Sequence, residues 1–95
     1  METKAEILLV DDHALILEGM QRMLELVPGV KVADAVTSGT RAAELIGERD
    51  YDIYVLDVSL PDISGFDLVD MIREINESAR IIISTMHEEI WIINR

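Results

Sequence analysis

The sequence predicts an α/β fold, a doubly wound parallel sheet with helices on both faces. Three observations lead there. Short apolar runs bounded by turn formers recur along the chain, as strands buried on both faces require. Segments with helical spacing separate them, so strand and helix alternate. Acidic residues stand at the ends of the apolar runs, and such sheets present their functional edge at the carboxyl ends of the strands.

The elements follow in order. Glu6–Val10 (EILLV) stops at Asp11-Asp12 and reads as a buried strand. Ile16, Met20, Met23, Leu24 and Val27 then share one face of a helix that Pro28-Gly29 ends. Val30–Val36 (VKVADAV) alternates in part and reads as a second, more exposed strand. Ser38 is placed to cap a helix with Ala42, Leu45 and Ile46 on its apolar face. Ile53–Val58 (IYVLDV) is a third, strongly buried strand, followed by a loop over Ser59-Leu60-Pro61-Asp62. Ser64 and Asp67 have capping-box-like spacing before a helix with Leu68, Ile72 and Ile75 on one side. Arg80–Thr85 (RIIIST) is a fourth strand. A further helix is expected to start near His87 and to run to Arg95.

Composition narrows the class. The chain has 95 residues, 49% of them hydrophobic, enough for one small core. With aromatics at 4%, that core is expected to rest on Ile, Leu, Val, Met and Ala, the methionines Met20, Met23 and Met71 among them. The absence of cysteine excludes disulfides, thiolate metal sites and cysteine nucleophiles. Nineteen acidic against eight basic residues give a formal net charge of -11, which repels nucleic acid and anionic lipid. No apolar run reaches membrane-spanning length and no signal-peptide pattern opens the chain, so a cytoplasmic location is expected.

The strand ends carry the chemistry. Asp11 and Asp12 follow the first strand, Asp57 lies at the end of the third, and Ser84-Thr85 close the fourth. Carboxylates brought together repel unless one is protonated or a cation binds. Oxygen-only ligation with room for water suits magnesium. A carboxylate beside magnesium can attack phosphorus, and a hydroxyl such as that of Thr85 can donate to a phosphoryl oxygen. The plainer alternative is that Asp11 and Asp12 cap the first helix. Asp57 resists that explanation, because it follows Tyr54-Val55-Leu56 where a buried strand should stay apolar.

Three segments, EILLVDDH from Glu6 to His13, YVLDVSLPDISG from Tyr54 to Gly65 and IIISTMH from Ile81 to His87, resemble the receiver domain of bacterial two-component response regulators. The LVDDH and STMH portions are most similar to receivers that precede LuxR-type helix-turn-helix domains. The resemblance covers essentially the whole chain, 1–95. It implies a flavodoxin-like (CheY-like) fold with strand order 2-1-3-4, lacking the family's fifth strand and helix, as if truncated. It further implies that Asp57 is the phosphoacceptor for a sensor histidine kinase. Magnesium would be held by Asp12, Asp11, Asp57 and the Ser59 backbone carbonyl, and Thr85 would be the switch hydroxyl. Pro61 and Gly65 match the residues that shape the loop.

The family's fifth-strand lysine has no counterpart. Lys4 and Lys31 are expected at the amino-terminal edge of the sheet, away from Asp57. Without a fifth strand, Ile81-Ile82-Ile83 would form a bare apolar edge, so self-association there or by segment exchange is expected. His13 is read as opening the first helix, His87 as solvent-facing, and Trp91 as lying with Ile90, Ile92 and Ile93 on an incomplete helix. Competing readings are an interaction or dimerisation fragment that takes no phosphoryl group and a magnesium-dependent phosphohydrolase of the haloacid-dehalogenase type. The latter expects a second acid two positions after the nucleophile, where Ser59 stands. A flavodoxin-like ligand binder would need a hydroxyl- and glycine-rich loop where Asp11-Asp12-His13 stand.

Overall fold

The computed structural model describes residues 4–85 and 89–93, with side chains through residue 84. The elements are β1 (Ala5–Val10), α1 (Ala14–Glu25), β2 (Val30–Val36), α2 (Gly39–Glu48), β3 (Ile53–Asp57), α3 (Gly65–Ile75), β4 (Arg80–Thr85) and β5 (Glu89–Ile93). The sheet order is β2-β1-β3-β4-β5, with the first four strands parallel. The expected 2-1-3-4 order is therefore present.

Alternation along the strands builds a core on each face of the sheet. Leu8, Val10, Tyr54 and Leu56 pack with Leu68 and Ile72 beneath α2 and α3. Ile7, Leu9 and Val55 pack with Leu17 on the α1 side. The caps fall where the spacing puts them: the Ser38 hydroxyl accepts from the Arg41 N–H at 3.0 Å, and the Ser64 hydroxyl accepts from the Phe66 N–H at 3.2 Å.

Several expectations are corrected. The segment from His87 to Arg95 does not form a helix where it is described: Glu89–Ile93 is a strand antiparallel to β4, with Ile83 opposite Trp91 and Ile81 opposite Ile93. Ile90-Trp91-Ile92-Ile93 is a contiguous run of β-branched and aromatic residues without helical periodicity, and such residues favour a strand. Antiparallel pairing needs only the short connection over 86–88, whereas a parallel neighbour would need a crossover. β4 consequently has no bare edge, and the expectation of self-association there loses its premise. His87 lies outside the described residues, as does the side chain of Trp91.

The face of α1 is also rotated from the expected one. Leu17 is its buried residue, with Met20 and Leu24 packed beside it, while Met23 is 69% exposed and Val27 lies beyond the helix end, facing solvent. Ile75, in the last turn of α3, is half exposed. The core holds two aromatics after all. Tyr51 and Tyr54 are fully buried, their rings edge-to-face at 5.5 Å. Burial is tolerated because both hydroxyls are bonded. The Tyr51 hydroxyl donates to Asp34 Oδ2 at 2.6 Å, and the Tyr54 hydroxyl accepts from the Tyr51 N–H at 3.1 Å. Burial and the Asp34 carboxylate together push the Tyr51 phenol up, so it stays protonated.

Candidate functional site

The parallel strands deliver the acids to one edge. β1 ends at Val10, and the Asp11 N–H extends its ladder by donating to the Val36 carbonyl at 3.2 Å. That bond keeps Asp11 in strand register, so its side chain falls on the same buried face as Ile7 and Leu9, where it is 2% exposed. Asp57 is the last residue of β3 and 1% exposed. Its Oδ1 accepts from the Ser59 N–H at 2.9 Å, which ties the carboxylate to the turn that follows. Asp12, partly exposed, completes the group.

His13 joins them. It is the N-cap residue of α1, so the plainer expectation that Asp11 and Asp12 cap this helix is not met. Asp11 Oδ1 instead accepts from the His13 N–H at 2.8 Å. The imidazole Nδ1 lies 3.1 Å from Asp11 Oδ1 and 2.9 Å from Asp12 Oδ1. One ligand atom from each of Asp11, Asp12, His13 and Asp57 falls within 4.8 Å of all the others.

Other expected residues are placed as follows. Ser59 is the second residue of the turn after β3. Thr85 is the last residue of β4, one position past the Asp57–Ser84 pair, so its backbone reaches the same edge; its side chain lies outside the described residues. Gly65 opens α3 against the end of β3, where an added Cβ would meet Val58 Cα at 2.7 Å and the Asp57 carbonyl oxygen at 2.8 Å. Pro61 lies in the exposed loop between them. Lys4 precedes β1 and Lys31 pairs with Glu6 at the strand's start, both at the opposite end of the sheet.

The sequence profile of the response regulator receiver domain family matches residues 7–95. The chain belongs to that family. It is similar to the nitrate/nitrite response regulator NarL of Escherichia coli, 32% identical over 90% of this chain and 40% of the relative. Response regulator UvrY of the same species is 34% identical over 87% of this chain and 38% of its own length. Among solved structures, a LuxR-family two-component response regulator from Aurantimonas sp. SI85-9A1 has a TM-score of 0.79 at 38% identity, covering 90% of this chain and 61% of that one. A CheY-like receiver domain from Methylobacillus flagellatus has a TM-score of 0.76 at 29% identity, covering 87% and 70%. The receiver chain thus spans about two fifths of the length of these curated relatives.

Receiver domains use magnesium at an acidic pocket, and the donor set here fits such an ion. Three carboxylates from the ends of two adjacent strands offer hard oxygens, which magnesium takes together with water. The nitrogen of His13 is the residue that sequence reasoning left out of this group. The available signal was its place directly after two acids and directly before a helix, where an N-cap side chain can turn back.

The hydrogen bond to Asp11, reinforced by the charges of Asp12, Asp11 and Asp57, holds the His13 imidazolium above its ordinary range. A folded-state pKa raised above the unfolded one stabilises the protein fully below the unfolded value and is lost as pH rises through the folded one. His13→Gln is therefore expected to lower the melting temperature in chelator below the ordinary histidine range. It should leave the melting temperature unchanged at clearly alkaline pH. Equal losses at both pH values would show that the imidazole acts only by packing.

Proposed function

We propose that this receiver is the phosphoacceptor module of a two-component signalling protein, taking a phosphoryl group on Asp57 in a magnesium-dependent reaction. The observation that carries the proposal is the burial of Asp57 beside Asp11 at the shared strand edge, in a group of four side chains whose donor atoms lie within 4.8 Å of one another. A carboxylate oxygen of Asp57 forms the new bond to phosphorus. The bond from phosphorus to the donor, a phosphohistidine nitrogen or an acyl oxygen, breaks with its electron pair leaving on the donor. Asp11, Asp12 and Asp57, with the Ser59 carbonyl, would hold the ion. When bound, it supplies charge that offsets the phosphoryl oxygens. The Ser59 N–H orients Asp57, and Thr85, the last residue of β4, would supply the switch hydroxyl.

Receiver domains interact with histidine kinases, and a kinase is the proposed phosphodonor. The relatives' descriptions support an output in transcription. RcsB from Salmonella enterica, for example, is solved bound to promoter DNA in the presence of a phosphomimetic, and this chain resembles part of it at 26% identity. By this reading the segment binds no nucleic acid itself, acts in the cytoplasm, and is not an enzyme toward external substrates. Self-association would proceed by exchange of β5 between copies. The place of Lys4 and Lys31 at the far end of the sheet favours a second reading, an interaction module that takes no phosphoryl group.

Intact mass before and after incubation with magnesium and a small acyl phosphate separates the two. One added phosphoryl group, mapped to the peptide containing Asp57 and abolished by chelator, is the expected result. No addition at any magnesium concentration would leave the interaction module.

A further inference from the structure

Asp62 lies in the turn that follows Asp57, yet its carboxylate is spent on a different helix. Oδ1 accepts from the Gly39 N–H and from the Ile63 N–H, each at 3.0 Å. Oδ2 accepts from the Thr40 N–H and the Thr40 hydroxyl, each at 2.8 Å. These bonds, led by the Thr40 N–H, hold the Asp62 carboxyl far below the usual carboxylate range. α2 has no acidic residue in its own first turn, so Asp62 supplies from outside the negative charge that a helix start favours. The approach is close: a Cβ on Gly39 would meet Ile63 Cβ at 2.9 Å and Asp62 Oδ1 at 3.0 Å.

The turn over 58–64 is thus fastened at two points. Gly65 seats its far end against the Asp57 backbone, and Asp62 ties its middle to α2. Between Asp57 and those anchors lies Ser59, whose N–H holds Asp57 Oδ1. We propose that Asp62 is a positioning residue for the phosphoacceptor site, fixing the Ser59 peptide against Asp57 and the cation by tethering the turn to α2. The inference rests on the phosphoacceptor reading for its consequence, but the tether acts on magnesium binding before any phosphoryl group arrives.

The alternative role is simple capping of α2, and Ser38 provides the control. Ser38 caps the same helix from within its own segment, its hydroxyl accepting from the Arg41 N–H. Magnesium titrations of the 95-residue chain, followed by backbone amide shifts without phosphodonor, distinguish the roles. Asp62→Ala is expected to raise the magnesium dissociation constant roughly tenfold, the scale of losing a group that orients ligands from behind, and to displace the Ser59 amide signal. Asp62→Asn keeps an acceptor for Gly39 and Ile63 but loses those for Thr40, so its effect should be smaller. Ser38→Ala should lower the melting temperature and leave magnesium affinity unchanged. Should Asp62→Ala fail to fold, Thr40→Val, which removes one of the four bonds, should shift the affinity in the same direction by less. Unchanged affinity in the Asp62 variants, or an equal change in Ser38→Ala, would overturn the proposal. A wild-type chain that binds magnesium but takes no phosphoryl group would sink only the phosphoacceptor reading.

Discussion

Asp57→Asn is expected to end phosphoryl incorporation and, in the same protein, to raise stability in chelator. The first effect follows from chemistry, since an amide offers no anionic oxygen to phosphorus. The second follows from where the charge sits. Asp57 and Asp11 are both almost fully buried, with donor atoms within 4.8 Å of each other. Like charges at such a distance repel by roughly 3–4 kcal/mol at an effective dielectric of about 20. The amide keeps the volume and an oxygen for the Ser59 N–H while removing the repulsion. Urea denaturation with and without magnesium, at a pH where His13 is neutral, reads both parts. The variant should be more stable than wild type in chelator and should gain less from magnesium. A variant less stable in chelator would mean that the Asp57 contacts outweigh the repulsion.

Gly65→Ala is expected to cost about 2–3 kcal/mol, the upper part of the range for forced overpacking in a well-packed site. An added Cβ would fall 2.7 Å from Val58 Cα and 2.8 Å from the Asp57 carbonyl oxygen. Both are backbone atoms, so no side chain can rotate away, and the strand end that carries the acceptor must shift. Phosphorylation rate should therefore fall along with stability. Gly19→Ala is the contrast. That position lies within α1 with nothing within 4 Å of an added Cβ, so the substitution should stabilise by about 1 kcal/mol through helix propensity. A Gly65→Ala protein as stable as wild type would show that α3 can slide off the strand end without strain.

How much of this was readable in the sequence varies with the physics involved. β1, β3 and β4 are apolar runs closed by polar residues, and burial on both faces leaves little freedom in reading them. The acids at their ends were legible for the same reason: topology alone places Asp11, Asp12 and Asp57 on one edge. The face of α1 was misjudged because Met23 and Leu24 are neighbours in a helix that presents only one of them to the sheet. Leu17, between a half-buried Ile16 and an exposed Glu18, becomes the anchor only once the sheet fixes the rotation. The last segment was misread because its fate depends on a partner distant in the fold. Ile90–Ile93 pairs with β4, and no local pattern announces which strand will be free to receive it. Asp62 was equally hidden, since nothing near it in sequence says that it will close a helix 22 residues away.

The parallel strands also sort the charges by company. Asp11, Asp12, Asp57 and Asp62 gather at the carboxyl ends, with the His13 imidazole beside the first two. At the amino ends Lys4, Lys31, Arg49 and Arg80 are interleaved with Glu6, Glu25, Glu48, Asp50 and Asp52. The starts of the three helices add about half a positive charge each at the acidic end, which offsets only part of it. A cationic surface approaching this chain, whose formal net charge is -11, is therefore attracted to the Asp57 edge before contact. Ions in the medium damp that attraction within about 10 Å, so the rate of productive encounter should depend on salt more steeply than the strength of the final contact.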